Sequence, residues 1–127
     1  MLIIDSRSST PIYEQIIIEI KDLILRNIIK PGEKLPSVRE LANALTINPN
    51  TVSKAYGELE KENIVVTIRG KGTFVSDNYK AIFSEEKVNK LISDFRKLIV
   101  EANYLGFEEK DLILLLGEGF KEIRGGV

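Results

Sequence analysis

From Ile12 onward, apolar residues return every three or four positions, at Ile16, Ile20, Leu23 and Ile24, while Glu14, Glu19, Lys21 and Asp22 fall between them. That period marks one face of an α-helix. Thr10 before Pro11 supplies its start: a hydroxyl able to cap free N–H groups, then a proline suited to the first helical position. Pro31-Gly32 requires a stop within residues 27–30, because proline disfavours helix in the residue before it.

The same period restarts twice in shorter form. Ser37 with Glu40 three residues on is a capping box, and Val38, Leu41, Ala42 and Leu45 follow as the apolar side of a helix of about two turns. Asn48-Pro49 repeats the start signal, after which Val52, Ala55, Tyr56 and Leu59 share one face. Asn50, Thr51, Ser53, Lys54, Gly57 and Glu58 are left outside, with no acid before Glu58. Residues 64–68 and 73–76 are then rich in β-branched side chains and predict a hairpin, whose tip at Gly70-Lys71-Gly72 can adopt positive φ.

Beyond Asn78 the period lengthens into a stripe at Val88, Leu91, Ile92, Phe95, Leu98, Ile99, Ala102 and Leu105, opened by Ser84 and stopped by Gly106. A last amphipathic helix is expected over 111–123. The expected fold is mainly α with a small β-hairpin, organised as a domain at 1–78 and a two-helix tail at 79–127. Two helices cannot cover such stripes alone, so the tail should pack on the first domain, on a second copy, or on both.

Composition narrows the chemistry. The 127 residues contain neither Cys nor His, which removes thiol nucleophiles, imidazole bases, disulfides and the usual zinc ligands. No converging carboxylate pair replaces them, and Glu85, Glu86, Glu108, Glu109 and Asp111 read as charges at helix N-termini. No enzyme, cofactor or metal is therefore expected. With no leader pattern and no apolar run near membrane length, the expected location is the cytoplasm. The net charge of −1 gives no bulk attraction to nucleic acid, so any such activity must come from local placement.

Placement does point that way. Three helices, the last two joined by a tight turn, followed by a basic-tipped hairpin, are the order of a winged helix-turn-helix. In that geometry the helix near 49–62 enters the major groove, and the face left outside by the core pattern is the one that docking needs. Asn50, Thr51 and Ser53 can bond base edges or phosphates, and Lys54 adds a cation. Arg39 would reach a phosphate or a guanine, and helix N-termini at Ser37 and Asn48 can receive phosphate. At the tip, Arg69 and Lys71 carry charge while Gly70 and Gly72 allow close approach. A nucleotide-binding reading of the GKGT core fails, since the first glycine of a P-loop is missing and a strand follows where a helix is required.

PIYEQI, PGEKLPSVRELA, NPNTVSKAYGELE and GKGTFV, in this order over residues 11 to 76, resemble the DNA-binding domain of the GntR family of bacterial transcription regulators. The short tail is similar to that of the YtrA-type subfamily. The resemblance implies a homodimeric repressor on a palindromic operator in double-stranded DNA, with the tail helices dimerising, and control of neighbouring transporter genes. By position it implies DNA contacts at Arg39, Asn48, Asn50, Thr51, Ser53 and Lys54, and at Arg69, Gly70 and Gly72 of the wing. Thr46 and Asn63 stand where the family commonly has glycine. Asn tolerates the left-handed region, whereas Thr there would be strained by roughly 1 kcal/mol or more unless the turn bends differently.

Several positions have plainer readings. Arg39 could pair with Glu33 or Glu40; Asn48 is a cap first; Tyr13 and Tyr56 lie beside apolar faces and read as core or interface. The alternative function is a winged-helix module that binds a protein partner, for which acidic or apolar residues at 50, 51, 53 and 54 would be expected. A small effector, were one to bind, would lodge between subunits or between tail and first domain, because the tail alone is too small for a pocket of about 300 Å³.

Overall fold

Eight residues suffice for the second helix because both of its ends are closed by residues next to it in sequence, side chains at the start and backbone at the finish. The computed structural model describes residues 2–79 and 84–125. In it the chain divides into two compact units, Met1–Ala81 and Ile82–Val127. The first contains α1 (Ile12–Leu25), α2 (Val38–Leu45), α3 (Pro49–Lys61), β1 (Val65–Ile68) and β2 (Gly72–Val75); the second contains α4 (Glu85–Tyr104) and α5 (Glu109–Ile123).

At the start of α2 the Glu40 N–H donates to Ser37 Oγ at 3.1 Å and the Ser37 N–H donates to Glu40 Oε1 at 2.8 Å. This is the expected capping box. Two donors that a helix start leaves orphaned are thereby satisfied. Asn48 likewise accepts the Asn50 N–H at 2.8 Å, with Pro49 as the first helical residue of α3. The start of α1 differs from expectation. Pro11, not Thr10, is its N-cap, with ψ 147°, and no side chain caps it. The Pro11 carbonyl accepts the first helical bond from the Gln15 N–H, while the Thr10 carbonyl is taken by the Gln15 side-chain amide at 2.8 Å.

The three helices of this unit end by one device. Asn27, Thr46 and Asn63 all take positive φ near 60°. The following Ile28, Ile47 and Ile64 N–H groups then bond back to the carbonyls of Leu23, Ala42 and Leu59. This is the Schellman arrangement, with an apolar residue directly after the left-handed one. Thr46, at φ 56° and ψ 50°, sits fully in the left-handed region, so the turn does not avoid the strain expected of a β-branched residue.

Ile16, Ile20, Leu41, Ala42, Val52, Ala55 and Leu59 form the core between α1, α2 and α3, and Val65 and Val75 bring the hairpin onto it. Strand register pairs Val65 with Val75 and Ile68 with Gly72. Ile68, at the end of β1, is 44% exposed. It lies next to the tip, beyond reach of the core; the anchoring falls to Val65 and Val75 at the other end. A third segment joins the sheet unannounced by the sequence pattern. Lys34 bridges Phe74, the Leu35 N–H donates to the Thr73 carbonyl and the Val75 N–H donates to the Glu33 carbonyl, each bond 2.8 Å long.

In the second unit, Ser84 caps α4 through the Lys87 N–H at 3.2 Å, and Gly106 at φ 91° ends it. Helix α5 begins two residues earlier than the pattern implied, with the Glu108 N–H donating to Asp111 Oδ2 at 2.8 Å. Neither helix buries a residue.

Candidate nucleic-acid interface

Burial decides which residues of α3 are available. Val52, Ala55, Tyr56 and Leu59 are in the core; Asn50, Ser53 and Lys54 are exposed and Thr51 is half-buried. The helix therefore presents, in its first two turns, a surface of amide, hydroxyl and ammonium groups with no acid in the first turn. Asn48 spends its carbonyl oxygen on the cap, which leaves its side-chain N–H donors for a ligand.

Two contacts hold this surface in place. The Tyr56 hydroxyl donates to the Pro36 carbonyl at 2.7 Å, joining the buried side of α3 to the residue before the α2 cap. Burial, then the charge of Glu40, pushes the Tyr56 hydroxyl up to about 12. It stays a donor across any ordinary pH. On the exposed side the Lys54 ammonium lies 4.0 Å from the centre of the Tyr13 ring. The sequence reading gave Tyr13 to core or interface; the structure shows a half-buried ring serving as a platform for a lysine. Only the packing of α1 against α3 could have revealed that pairing.

Arg39 stands exposed in the first turn of α2. Its neighbour Glu40 is engaged by Ser37, whose backbone N–H first and hydroxyl second hold the carboxyl below the usual carboxylate range. Glu33 Oε1 accepts the Lys30 N–H at 3.3 Å. Neither acid pairs with Arg39.

The wing carries Arg69, Gly70 and Lys71 in its connection, all exposed, closed by the Lys71 N–H donating to the Ile68 carbonyl at 2.9 Å. Gly70 at φ 79° and Gly72 at φ 124° take conformations that side chains disfavour. Glu60 Oε2 accepts the Thr67 N–H at 3.2 Å, which ties β1 to α3. All the residues singled out from the sequence thus lie in the first unit, on α2, α3 and the wing.

Arg39, Lys54, Arg69 and Lys71 make no ion pair with any described residue, whereas Lys21 pairs with Glu62, Arg26 with Asp22 and Lys61 with Glu58 at 3.0 to 3.3 Å. The cations of the candidate surface are free to meet an external anion. Among the described residues no group of acids could hold a metal ion, and no helix is long and apolar enough to cross a membrane.

Comparison with known proteins agrees with this geometry. The model of the bacterial regulatory proteins of the gntR family matches residues 12–75, which contain α1 to β2. The HTH-type transcriptional repressor YtrA of Bacillus subtilis (strain 168) is 51% identical over 126 residues, covering 99% of this chain and 97% of the relative. A crystal structure described as a transcriptional antiterminator from Listeria monocytogenes EGD-e superposes with a TM-score of 0.84 at 36% identity, over 97% of this chain and 92% of that one. The DNA-binding domain of AraR, solved in complex with operator ORX1, superposes with a TM-score of 0.54 at 29% identity, over 60% of this chain and 95% of that one. With the family's model matched over half its length and a relative matched over nearly all of it, the chain belongs to the gntR family of bacterial regulatory proteins, on its short YtrA-like branch, and is a transcriptional regulator rather than an enzyme.

Proposed function

We propose that the chain is a homodimeric repressor that binds an inverted-repeat operator in double-stranded DNA. The observation that carries this reading is the surface of α3: a buried apolar side and, opposite it, exposed Asn50, Ser53 and Lys54 backed by the unpaired Arg39. A protein-binding winged helix would present acidic or apolar groups there. In this reading α3 enters the major groove, with Asn50, Thr51 and Ser53 against base edges or phosphates and Arg39 on a guanine or phosphate. Asn48 donates its amide to the backbone, Lys54 supplies a cation, and Arg69, Gly70, Lys71 and Gly72 lie along flanking phosphates.

The second unit supports dimerisation. Leu91, Phe95 and Leu98 on α4 and Leu114, Leu115 and Phe120 on α5 are each about half to two-thirds exposed within one chain. Apolar stripes of that extent are an interface in waiting, and a second copy of the same helices is the occupant they fit. A two-fold dimer would place half-sites about 34 Å apart on the duplex, covering roughly 15 to 20 base pairs.

Genome-wide binding of the native protein tests the reading and yields the operator and its adjacent genes, including whether these encode transporters. On that operator, Arg39→Ala or Thr51→Ala should each cost on the order of 1–3 kcal/mol of specific binding while leaving the fold intact. Unchanged affinity in both would sink the contact assignment.

A further inference from the structure

Residues 33–35 run beside β2 through an isolated β-bridge, in which Lys34 sits opposite Phe74. Its side chain is exposed and passes over the wing tip. A Cβ placed on Gly72 would lie 2.7 Å from Lys34 Cε and 3.5 Å from its Nζ. The lysine stem is therefore laid flat across the bare Cα of Gly72, the residue that closes the wing tip, and the glycine is what makes room for it. Of the acids nearest in sequence, Glu33 accepts the Lys30 N–H and Glu40 the Ser37 N–H, while the Lys34 charge adds a lesser pull that helps hold the Glu40 carboxyl low. Lys34 makes no ion pair with a described residue. An exposed ammonium beside Arg69-Gly70-Lys71, with no ion pair among the described residues, has the arrangement of a phosphate contact.

We propose that Lys34 is a third phosphate-contacting cation of the wing, contributed by the bridged segment that precedes α2. The proposal rests on the DNA-binding reading above. Its ligand is the duplex backbone, so its contribution is independent of base sequence.

The test uses the full chain and a mixed-sequence duplex of about 30 base pairs, with affinity measured across a salt series. Each neutralised phosphate adds about 0.9 to the slope of log affinity against log salt. Lys34→Met keeps the apolar stem over Gly72 and removes the charge; it should lower the slope by about 0.9, weaken binding roughly five- to tenfold near 0.1 M salt, and leave thermal unfolding unchanged. Lys34→Arg should restore both slope and affinity. A wild-type slope in Lys34→Met, alongside normal wild-type binding that Arg69→Ala weakens, overturns the inference and spares the function. Absence of duplex binding by the wild-type chain at low salt overturns the function and the inference together.

Discussion

The Lys54 ammonium rests 4.0 Å above the ring of Tyr13, so a residue of α1 fixes where a cation of α3 points. Cations over aromatic faces are held by the ring quadrupole, and a tethered lysine loses less freedom when it meets a phosphate. Tyr13→Leu should therefore weaken operator binding about two- to fivefold. Tyr13→Phe, which keeps the ring, should stay near wild type. Equal losses in the two variants would assign the effect to the hydroxyl and remove the platform role.

Thr46 closes α2 in the left-handed region, a conformation that suits glycine far better than a β-branched residue. Thr46→Gly is expected to raise stability by about 1 kcal/mol in urea denaturation, because the relieved steric cost exceeds the added flexibility of the unfolded chain. A less stable variant would mean that Thr46 earns its place through packing.

Tyr56 gives the fold an alkaline limit. Its hydroxyl is pushed from 10.0 to about 12 in the folded chain. A raised folded value means that this group's contribution is complete below pH 10 and is lost as pH climbs toward 12, where the unfolded chain ionises first. Comparison with Tyr56→Phe isolates it. Below pH 10 the variant should be less stable by about 0.5–1.5 kcal/mol for the bond to Pro36, and the gap should shrink steadily between pH 10 and 12. A constant gap across that range would show that the hydroxyl titrates normally.

For the second unit, a chain ended after Asn78 should sediment as a monomer, and so should full-length protein carrying Leu91→Glu with Phe95→Glu. Helical signal in the doubly substituted chain checks that α4 persists. A dimer in either case would move the interface into the first unit.

Helix starts were legible in the sequence where Ser or Asn makes the cap, at Ser37, Asn48 and Ser84, but not at α5, whose capping box is built from acids. The start of α1 was misplaced by one residue because Pro11 fits either side of a boundary, and only its extended ψ decides. The outward face of α3 was readable as the complement of its apolar period. The bridge at Lys34 was not, since 33–35 lies between two prolines and carries one buried residue, Leu35, too few to show any alternation. The Tyr13–Lys54 contact joins residues from α1 and α3 and has no local trace at all.

That bridged segment also links two parts of the surface mechanically. Leu35 is bonded to Thr73 in the wing, and the chain from Leu35 reaches the capped start of α2 and Arg39 within four residues. Wing and α2 are thus set at a fixed interval, like the jaws of a calliper. On the proposed contacts, a duplex whose groove is too wide or too narrow would satisfy one jaw only by releasing the other. Discrimination by groove width would then follow from a single backbone bond between β2 and the segment before α2.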